Sequence, residues 1–272
     1  MITGLNHVAV VVRDADAALG FFRDTMGLAV TKDEVVDEMG IRGVLMPLGQ
    51  NEIELIQPTT PDTGVMRYLD SKGERLHHLA FSTDDIVGEL ARLKAAGVEV
   101  VDQEPREGLT GMVAFLHPKS MHGVLIELVQ PPADAHISTA KGIDHLAVLV
   151  SDYAVARATW ERVLGLKVVN EIRPEGRGTV IAQVPIGQCM VELISPATTD
   201  SPMVQRLADI GEGASSMVAI EVRDIAAELA KYRAAGKTPP DAAPGPLPHS
   251  VTSTIPAAQC FGLGVQLIEY GH

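Results

Sequence analysis

Four residues in the first half of the sequence have the types and settings for metal chemistry: His7, Glu54, His78 and Glu127. They stand in Asn6-His7-Val8-Ala9, Ile53-Glu54-Leu55, His77-His78-Leu79-Ala80 and Ile126-Glu127-Leu128, segments that read as strands. Alternate residues of a strand share a face, so His7 is expected beside Ala9 and Val11, and Glu127 beside Leu125 and Val129. An ionisable group on an apolar face is costly without a partner, and two such carboxylates near each other repel. A divalent cation between them removes both penalties. Mixed imidazole and carboxylate ligation suits a hard or borderline ion such as Co, Mn, Ni, Zn, Fe(II) or Mg. Taken singly, each residue has a plainer reading, as a hydrogen-bonded strand histidine or as a carboxylate on a solvated face; Glu52 is read the second way. The matched placement favours the metal: two chain segments each put His in a first strand and Glu in a last one.

The elements that position these residues come in a repeat. Gly4-Leu5-Asn6-His7-Val8-Ala9 returns as Gly142-Ile143-Asp144-His145-Leu146-Ala147, 138 positions later, and Glu54-Leu55 returns as Glu192-Leu193 at the same offset. Gly97 returns as Gly236, one position further, which places a one-residue insertion near Gly211 to Ser215. Each half is itself double. A first strand meets a capping aspartate (Asp14 or Asp16; Asp84 or Asp85), then a helix with one apolar face, then further strands. The first helix carries Ala18, Leu19, Phe22 and Met26 and is expected to stop at Gly27; the second carries Ile86, Leu90 and Leu93 and stops at Gly97. The expected fold is α+β, with four βαβββ units near 2–58, 73–131, 141–196 and 213–271 forming two curved mixed sheets. The domains are expected at 2–131 and 141–271, with 130–140 as linker.

The bulk properties narrow the function. A formal charge of −13 and the lack of a basic run argue against nucleic acid, whose phosphates call for a basic surface. No apolar run approaches the roughly 20 residues needed to cross a bilayer, so no membrane role is expected. Cys189 and Cys260 do not make a disulfide framework, and the first residues lack signal-peptide character. The expectation is a cytoplasmic protein acting on a small molecule.

Over Leu5 to Pro131 the chain resembles the methylmalonyl-CoA epimerases, within the vicinal-oxygen-chelate superfamily that includes glyoxalase I. The resemblance rests on Gly73-Glu74-Arg75-Leu76-His77-His78-Leu79-Ala80-Phe81 and on Val113-Ala114-Phe115-Leu116-His117-Pro118-Lys119-Ser120, leading to Gly123-Val124-Leu125-Ile126-Glu127-Leu128. It implies tandem vicinal-oxygen-chelate domains and one divalent metal on His7, Glu54, His78 and Glu127. It also implies a catalytic base at Glu38, in Asp37-Glu38-Met39-Gly40-Ile41, with Glu127 serving both metal and proton. By residue type alone Glu38 is an exposed loop carboxylate. The implied substrate is an acyl-CoA thioester. Met121-His122 departs from the small residues of the family pattern, which leaves the acyl group open. Lys119 and Ser120 are candidates for a CoA phosphate, against the plainer reading of a solvated turn, and His77 is read as packing on the other face.

The second half is a worn copy. His145 and Glu192 match His7 and Glu54, but Met217 and Gln266 stand for His78 and Glu127, and Gly176 stands for Glu38 with Glu175 beside it. It is expected to act as the second subunit of a pseudo-dimer, with a homo-oligomer of the whole chain left open. Two other enzyme readings remain, a glyoxalase-like lyase and an extradiol-type dioxygenase; Glu54, an additional ligand, argues against the latter. A non-catalytic binding or resistance protein is the third, disfavoured by the complete ligand set and by Glu38. An exchanged pairing of His145 and Glu192 with His78 and Glu127 is the alternative ligation.

Overall fold

The computed structural model describes residues 1–133, 142–247 and 249–271. The first half contributes β1 (Ile2–Val11), β2 (Lys32–Val36), β3 (Ile41–Leu48) and β4 (Asn51–Pro58), then β5 (Arg75–Thr83), β6 (Arg106–Gly108), β7 (Gly111–Leu116) and β8 (Ile126–Gln130). They form one eight-stranded sheet in the order β2-β3-β4-β1-β5-β8-β7-β6. The second half repeats this as β9 (Ile143–Leu149), β10 (Asn170–Ile172), β11 (Thr179–Ile186), β12 (Cys189–Pro196), β13 (Gly213–Glu221), β14 (Ala243–Pro244), β15 (Ser250–Ile255) and β16 (Gly264–Tyr270). Their order is β10-β11-β12-β9-β13-β16-β15-β14, the same pattern shifted by eight strands. Both sheets are mixed and curled: β5 runs parallel to β8, and β13 to β16, while their hairpins are antiparallel. Central strands covered on both faces lose the polar alternation of a solvated sheet, which is why Val8 to Val12 are all buried. The linker expected at 130–140 is described only as far as Ala133; the rest lies outside the described residues.

Each βαβββ unit starts its helix on an aspartate. Asp14 caps α1 (Ala15–Phe22), Asp85 caps α3 (Ile86–Ala95), Asp152 caps α4 (Tyr153–Leu164) and Asp224 caps α6 (Ile225–Ala234). Each carboxylate accepts a backbone N–H three residues on, a cap worth about 1 kcal/mol. The competing aspartates are engaged elsewhere: Asp16 accepts from Arg42, and Asp84 from the N-terminal amine. α1 ends at Phe22, earlier than the expected Gly27, because Asp24 and Met26 bond five residues back, to Leu19 and Phe21, and widen the last turn. Two helices, α2 (Gly64–Lys72) and α5 (Pro202–Ile210), fill the connections between units and fall outside the βαβββ pattern.

The chain divides into two compact units, and both draw on both halves of the sequence. One takes Met1–His7, the described part of 78–137 and His145–Ser215; here Arg92 of α3 donates to the Val163 carbonyl at 2.6 Å, and Arg162 of α4 to that of Ala96 at 2.8 Å. In this unit Gly123 (φ +79°) lies so close to Glu212 that a Cβ would collide with its carbonyl. Glu212 in turn accepts from the Ser151 backbone at 2.6 Å and lies 3.3 Å from His122 Nδ1. The other unit takes Val8–His77, the described part of 138–144 and that of 216–272, with Phe21 of α1 and Tyr232 of α6 at 6.1 Å between ring centroids. It repeats the close approach with Gly262 (φ +86°) against Glu74, which accepts from the Arg13 backbone at 2.9 Å. Among the described residues no helix is long and apolar enough to cross a membrane.

Candidate metal centre

His7 lies in β1, Glu54 in β4, His78 in β5 and Glu127 in β8, and none is more than 6% exposed. The register explains how residues so far apart in sequence converge. Ala80 stands opposite Glu127, so the carboxylate shares a face with Ala80 and with His78 two residues earlier. His7 Nε2 and His78 Nε2 are 3.1 Å apart, and Glu127 Oε2 lies 3.1 Å from the first and 3.2 Å from the second. One ligand atom from each of His7, Glu54 and His78 also lies within 4.8 Å of the others.

The donor set fits a divalent ion. Ligands about 2.1 Å from a metal and at right angles to one another are separated by about 3 Å, and the trio His7, His78 and Glu127 has that spacing. His7 is also oriented for it. Its Nδ1 lies 2.8 Å from Asn6 Oδ1, and an amide oxygen only accepts, so Nδ1 carries the proton and Nε2 faces the cluster with its lone pair. That carbonyl-to-imidazole bond is the outer-shell support that metal-ligating histidines use. Burial alone would push the Glu127 carboxyl up; in the ion-free cluster the charge of His78 and hydrogen bonds donated by the two imidazoles outweigh it and hold the group well below the usual carboxylate range, a role that a bound cation would take over once His7 Nε2 offers its lone pair. The carboxylate is therefore ionised in a buried place, as a ligand must be.

Around the cluster the face is apolar. Phe115 stands opposite Glu127 and sets its ring edge-on to His78, 5.1 Å between centroids and 87° between planes. Beyond it Ala80, Val113 and Val129 pack together. Ala9, two residues along β1 from His7, packs with Ile41 and Ile56, the latter two residues from Glu54. Val36 and Met39 pack on that second group from either side of the turn that holds Glu38.

Glu38 itself is exposed on this β2–β3 turn. The turn is fixed: Gly40 sits at φ +63° where a Cβ would strike Thr60, and its carbonyl accepts the Thr59 N–H at 2.8 Å. His77 points away from the cluster and packs edge-on to Tyr68 at 4.7 Å between centroids. Lys119 is exposed, and Ser120 Oγ accepts the Glu99 N–H at 2.9 Å.

The second sheet keeps the frame and changes the donors. Ala219 stands opposite Gln266 as Ala80 stands opposite Glu127, and the glutamine amide donates to Thr254 at 3.4 Å. Gln183 stands opposite Glu192 as Leu45 stands opposite Glu54, and it donates to the carboxylate at 2.9 Å. The turn at Gly40 recurs at Gly178 (φ +55°), whose carbonyl accepts from Ala197, but at Glu38's place is Gly176. Sequence pattern does not single out Asn6, Phe115 or Gln183. Asn6 is marked only by adjoining a candidate ligand, and the other two only by cross-strand register.

Comparison with known proteins gives the relatives of both halves. Residues 6–115 match a model of the Glyoxalase/Bleomycin resistance protein/Dioxygenase superfamily, and residues 142–249 match a second model of the same description. The ethylmalonyl-CoA/methylmalonyl-CoA epimerase of Cereibacter sphaeroides is 35% identical over 133 residues, covering 48% of this chain and 99% of that protein. The mitochondrial methylmalonyl-CoA epimerase of Mus musculus is 36% identical over 128 residues, 46% of this chain and 72% of the relative. A 4-hydroxymandelate synthase variant from Streptomyces coelicolor matches nearly end to end, with a TM-score of 0.77 over 99% of this chain and 93% of the other. At 20% identity that likeness is one of fold.

Proposed function

We propose a function that proceeds from the family: this chain belongs to the glyoxalase/bleomycin resistance protein/dioxygenase superfamily, and its first half works as a metal-dependent epimerase. Its substrate is an acyl-CoA thioester of the methylmalonyl-CoA type, and the reaction moves the proton alpha to the thioester. The observation that carries this reading is the buried trio His7, His78 and Glu127, at metal-ligand spacing, in the half that is 35% identical to an epimerase. In this reading residues 2–131 form the metal-binding domain and 141–271 the copy that has lost the ligand set.

A divalent ion held by His7, Glu54, His78 and Glu127 supplies Lewis acidity toward the thioester carbonyl. The other tasks fall to the chain. Asn6 keeps His7 in one tautomer. Phe115 and the apolar groups around Ala80 and Ile56 exclude water from the reacting carbon, which strengthens every charge interaction there. For one epimer ionised Glu127 takes the alpha proton and Glu38, carrying a proton, returns one to the opposite face; for the other epimer Glu38 is the base and Glu127 the acid, since epimerisation needs an acid and a base on opposite faces. Glu54 as a fourth protein ligand suits this chemistry better than oxygen activation, which uses two His and one carboxylate with positions left open.

The test is solvent exchange. Metal-loaded protein in deuterium oxide is expected to place deuterium at the alpha carbon of methylmalonyl-CoA or a close thioester, read by mass spectrometry. No incorporation across a panel of 2-substituted acyl-CoAs sinks the epimerase and leaves another metal-dependent reaction of the superfamily.

A further inference from the structure

One guanidinium lies on the cluster's face and has no part in the reaction just described. Arg106 in β6 stands opposite Val113 of β7, on the face that Phe115 shares two residues later. Its guanidinium carbon lies 5.7 Å from the centre of the Phe115 ring, and that ring touches His78. Asp102 fixes the arrangement from behind: its Oδ2 accepts the Phe115 N–H at 2.9 Å, and its Oδ1 lies 3.6 Å from Arg106 Nε. Thus one side chain holds both the ring and the cation beside it. The Arg106 side chain is 42% exposed, at the rim of a face whose other members near it, Val113 and Phe115, are apolar.

The second sheet is an internal control. There Thr254 stands opposite Gln266 as Phe115 stands opposite Glu127, and Ala243 stands opposite Thr252 as Arg106 stands opposite Val113. The copy that lacks His78 and Glu127 therefore also lacks the ring and the cation. Moreover, the chain carries a net charge of −13, so an anionic ligand meets general repulsion that a local cation must offset.

We propose that Arg106 is a specificity-determining residue that captures an oxyanion of the substrate, the carboxylate of the acyl group or a phosphate of its carrier. A planar guanidinium suits either, because both present paired oxygens to its parallel N–H donors. The substrate class rests on the function proposed above; the anion capture does not.

The experiment measures binding by calorimetry to metal-loaded wild type, Arg106→Gln and Arg106→Lys, with metal content checked in each. The ligands are methylmalonyl-CoA, propionyl-CoA, and the same two acyl groups on pantetheine, which lacks the phosphates. Capture of the carboxylate predicts that Arg106→Gln weakens both methylmalonyl esters by about ten- to a hundredfold and spares both propionyl esters. Capture of a phosphate predicts that it weakens both CoA esters and spares both pantetheine esters. In either case Arg106→Lys recovers part of the loss. Equal weakening of all four, propionyl-pantetheine included, overturns the proposal and makes Arg106 a packing residue; so does no weakening at all. If wild type binds none of the thioesters, the epimerase reading fails and malonate becomes the probe. Loss of malonate binding in Arg106→Gln then supports the capture, and equal binding by the two proteins, or none by either, overturns it.

Discussion

Replacing Asn6 by Ala isolates the support behind the candidate metal centre. The change removes the acceptor 2.8 Å from His7 Nδ1 and replaces no proposed ligand. Asn6 is half-buried, so the fold without metal should lose about 0.5–1.5 kcal/mol, the ordinary worth of one hydrogen bond. The larger effect falls on the ion. With the Asn6 acceptor gone, the imidazole can place its proton on Nε2 and must give up that tautomer to bind. Outer-shell losses of this kind cost about 10–100-fold in affinity, or about 1.4–2.7 kcal/mol. Since an ion bound only to the folded state stabilises it in proportion to the logarithm of its affinity, the metal-dependent rise in melting temperature should shrink by about 3–10 °C at fixed excess metal. Competition against a fluorescent chelator gives the affinity, and calorimetry with and without metal gives the rise. Asn6→Asp, the residue that the second half carries as Asp144, restores an acceptor and should bind as tightly as wild type. Asn6→Ala with undiminished affinity would refute the claim that this bond sets the histidine tautomer.

Four further outcomes are expected. Leu45→Gln should give Glu54 the amide partner that Gln183 gives Glu192, and a hydrogen bond to a charged group should weaken metal binding by about 10–150-fold; unchanged affinity would count against Glu54 as a ligand. Glu38→Gln should slow alpha-proton exchange by about 10²–10⁴-fold with metal content unchanged, while Glu175→Gln should do little; rates that respond equally to the two changes would remove Glu38 from the mechanism. Dialysed protein should hold one equivalent of metal per chain by elemental analysis, and two would contradict the loss of donors at Met217 and Gln266. Finally, burial raises the Glu212 carboxyl, but hydrogen bonds from Ser151 and His122 outweigh this and hold it below the ordinary carboxylate value. A depressed group stabilises the fold above its unfolded pKa, about 4.3, and loses that contribution as pH falls through its folded value. The difference in melting temperature between wild type and Glu212→Gln should therefore be full above about pH 5.5 and shrink toward zero under stronger acid. A constant difference across that range would show that its charge is not involved.

Much of this architecture is legible in the sequence because the duplication writes it twice. The four capping aspartates, the apolar helix faces and the recurring strands come from local patterning, which local chemistry sets. His7, Glu54, His78 and Glu127 are legible for the same reason: ionisable residues at matched places in apolar strands. Asp14 against Asp16 is undecidable from sequence, since either suits a cap and only the position of Arg42 separates them. Phe115, Arg106 and Gln183 are not visible there because their roles follow from which residue of one strand faces which of the next, and hairpin geometry sets that. Helices α2, with Val65, Met66 and Leu69, and α5, with Met203, Val204, Leu207 and Ile210, have apolar positions at helical spacing, but they lie in the connections between units, outside the repeat that orders the rest; α5 has no buried residue among those described. Glu38 stands apart. Residue type alone makes it an exposed carboxylate, and the structure places it on an exposed turn; its role rests on likeness to the epimerases.

Gly123 and Glu212, and Gly262 and Glu74, lie close enough that neither glycine has room for a methyl group. Each pair joins a residue of one sequence half to a residue of the other, inside a single compact unit. For the gene this makes the fusion hard to undo. The second half has lost the counterparts of His78 and Glu127, yet a deletion that removed it would strip the first half's loop and α3 of the surfaces to which they are fitted. Drift in the second half is then limited by shape rather than by catalysis. Substitutions at 123 and 212, or at 262 and 74, should show epistasis across the old duplication boundary, the tolerance of each site depending on the other.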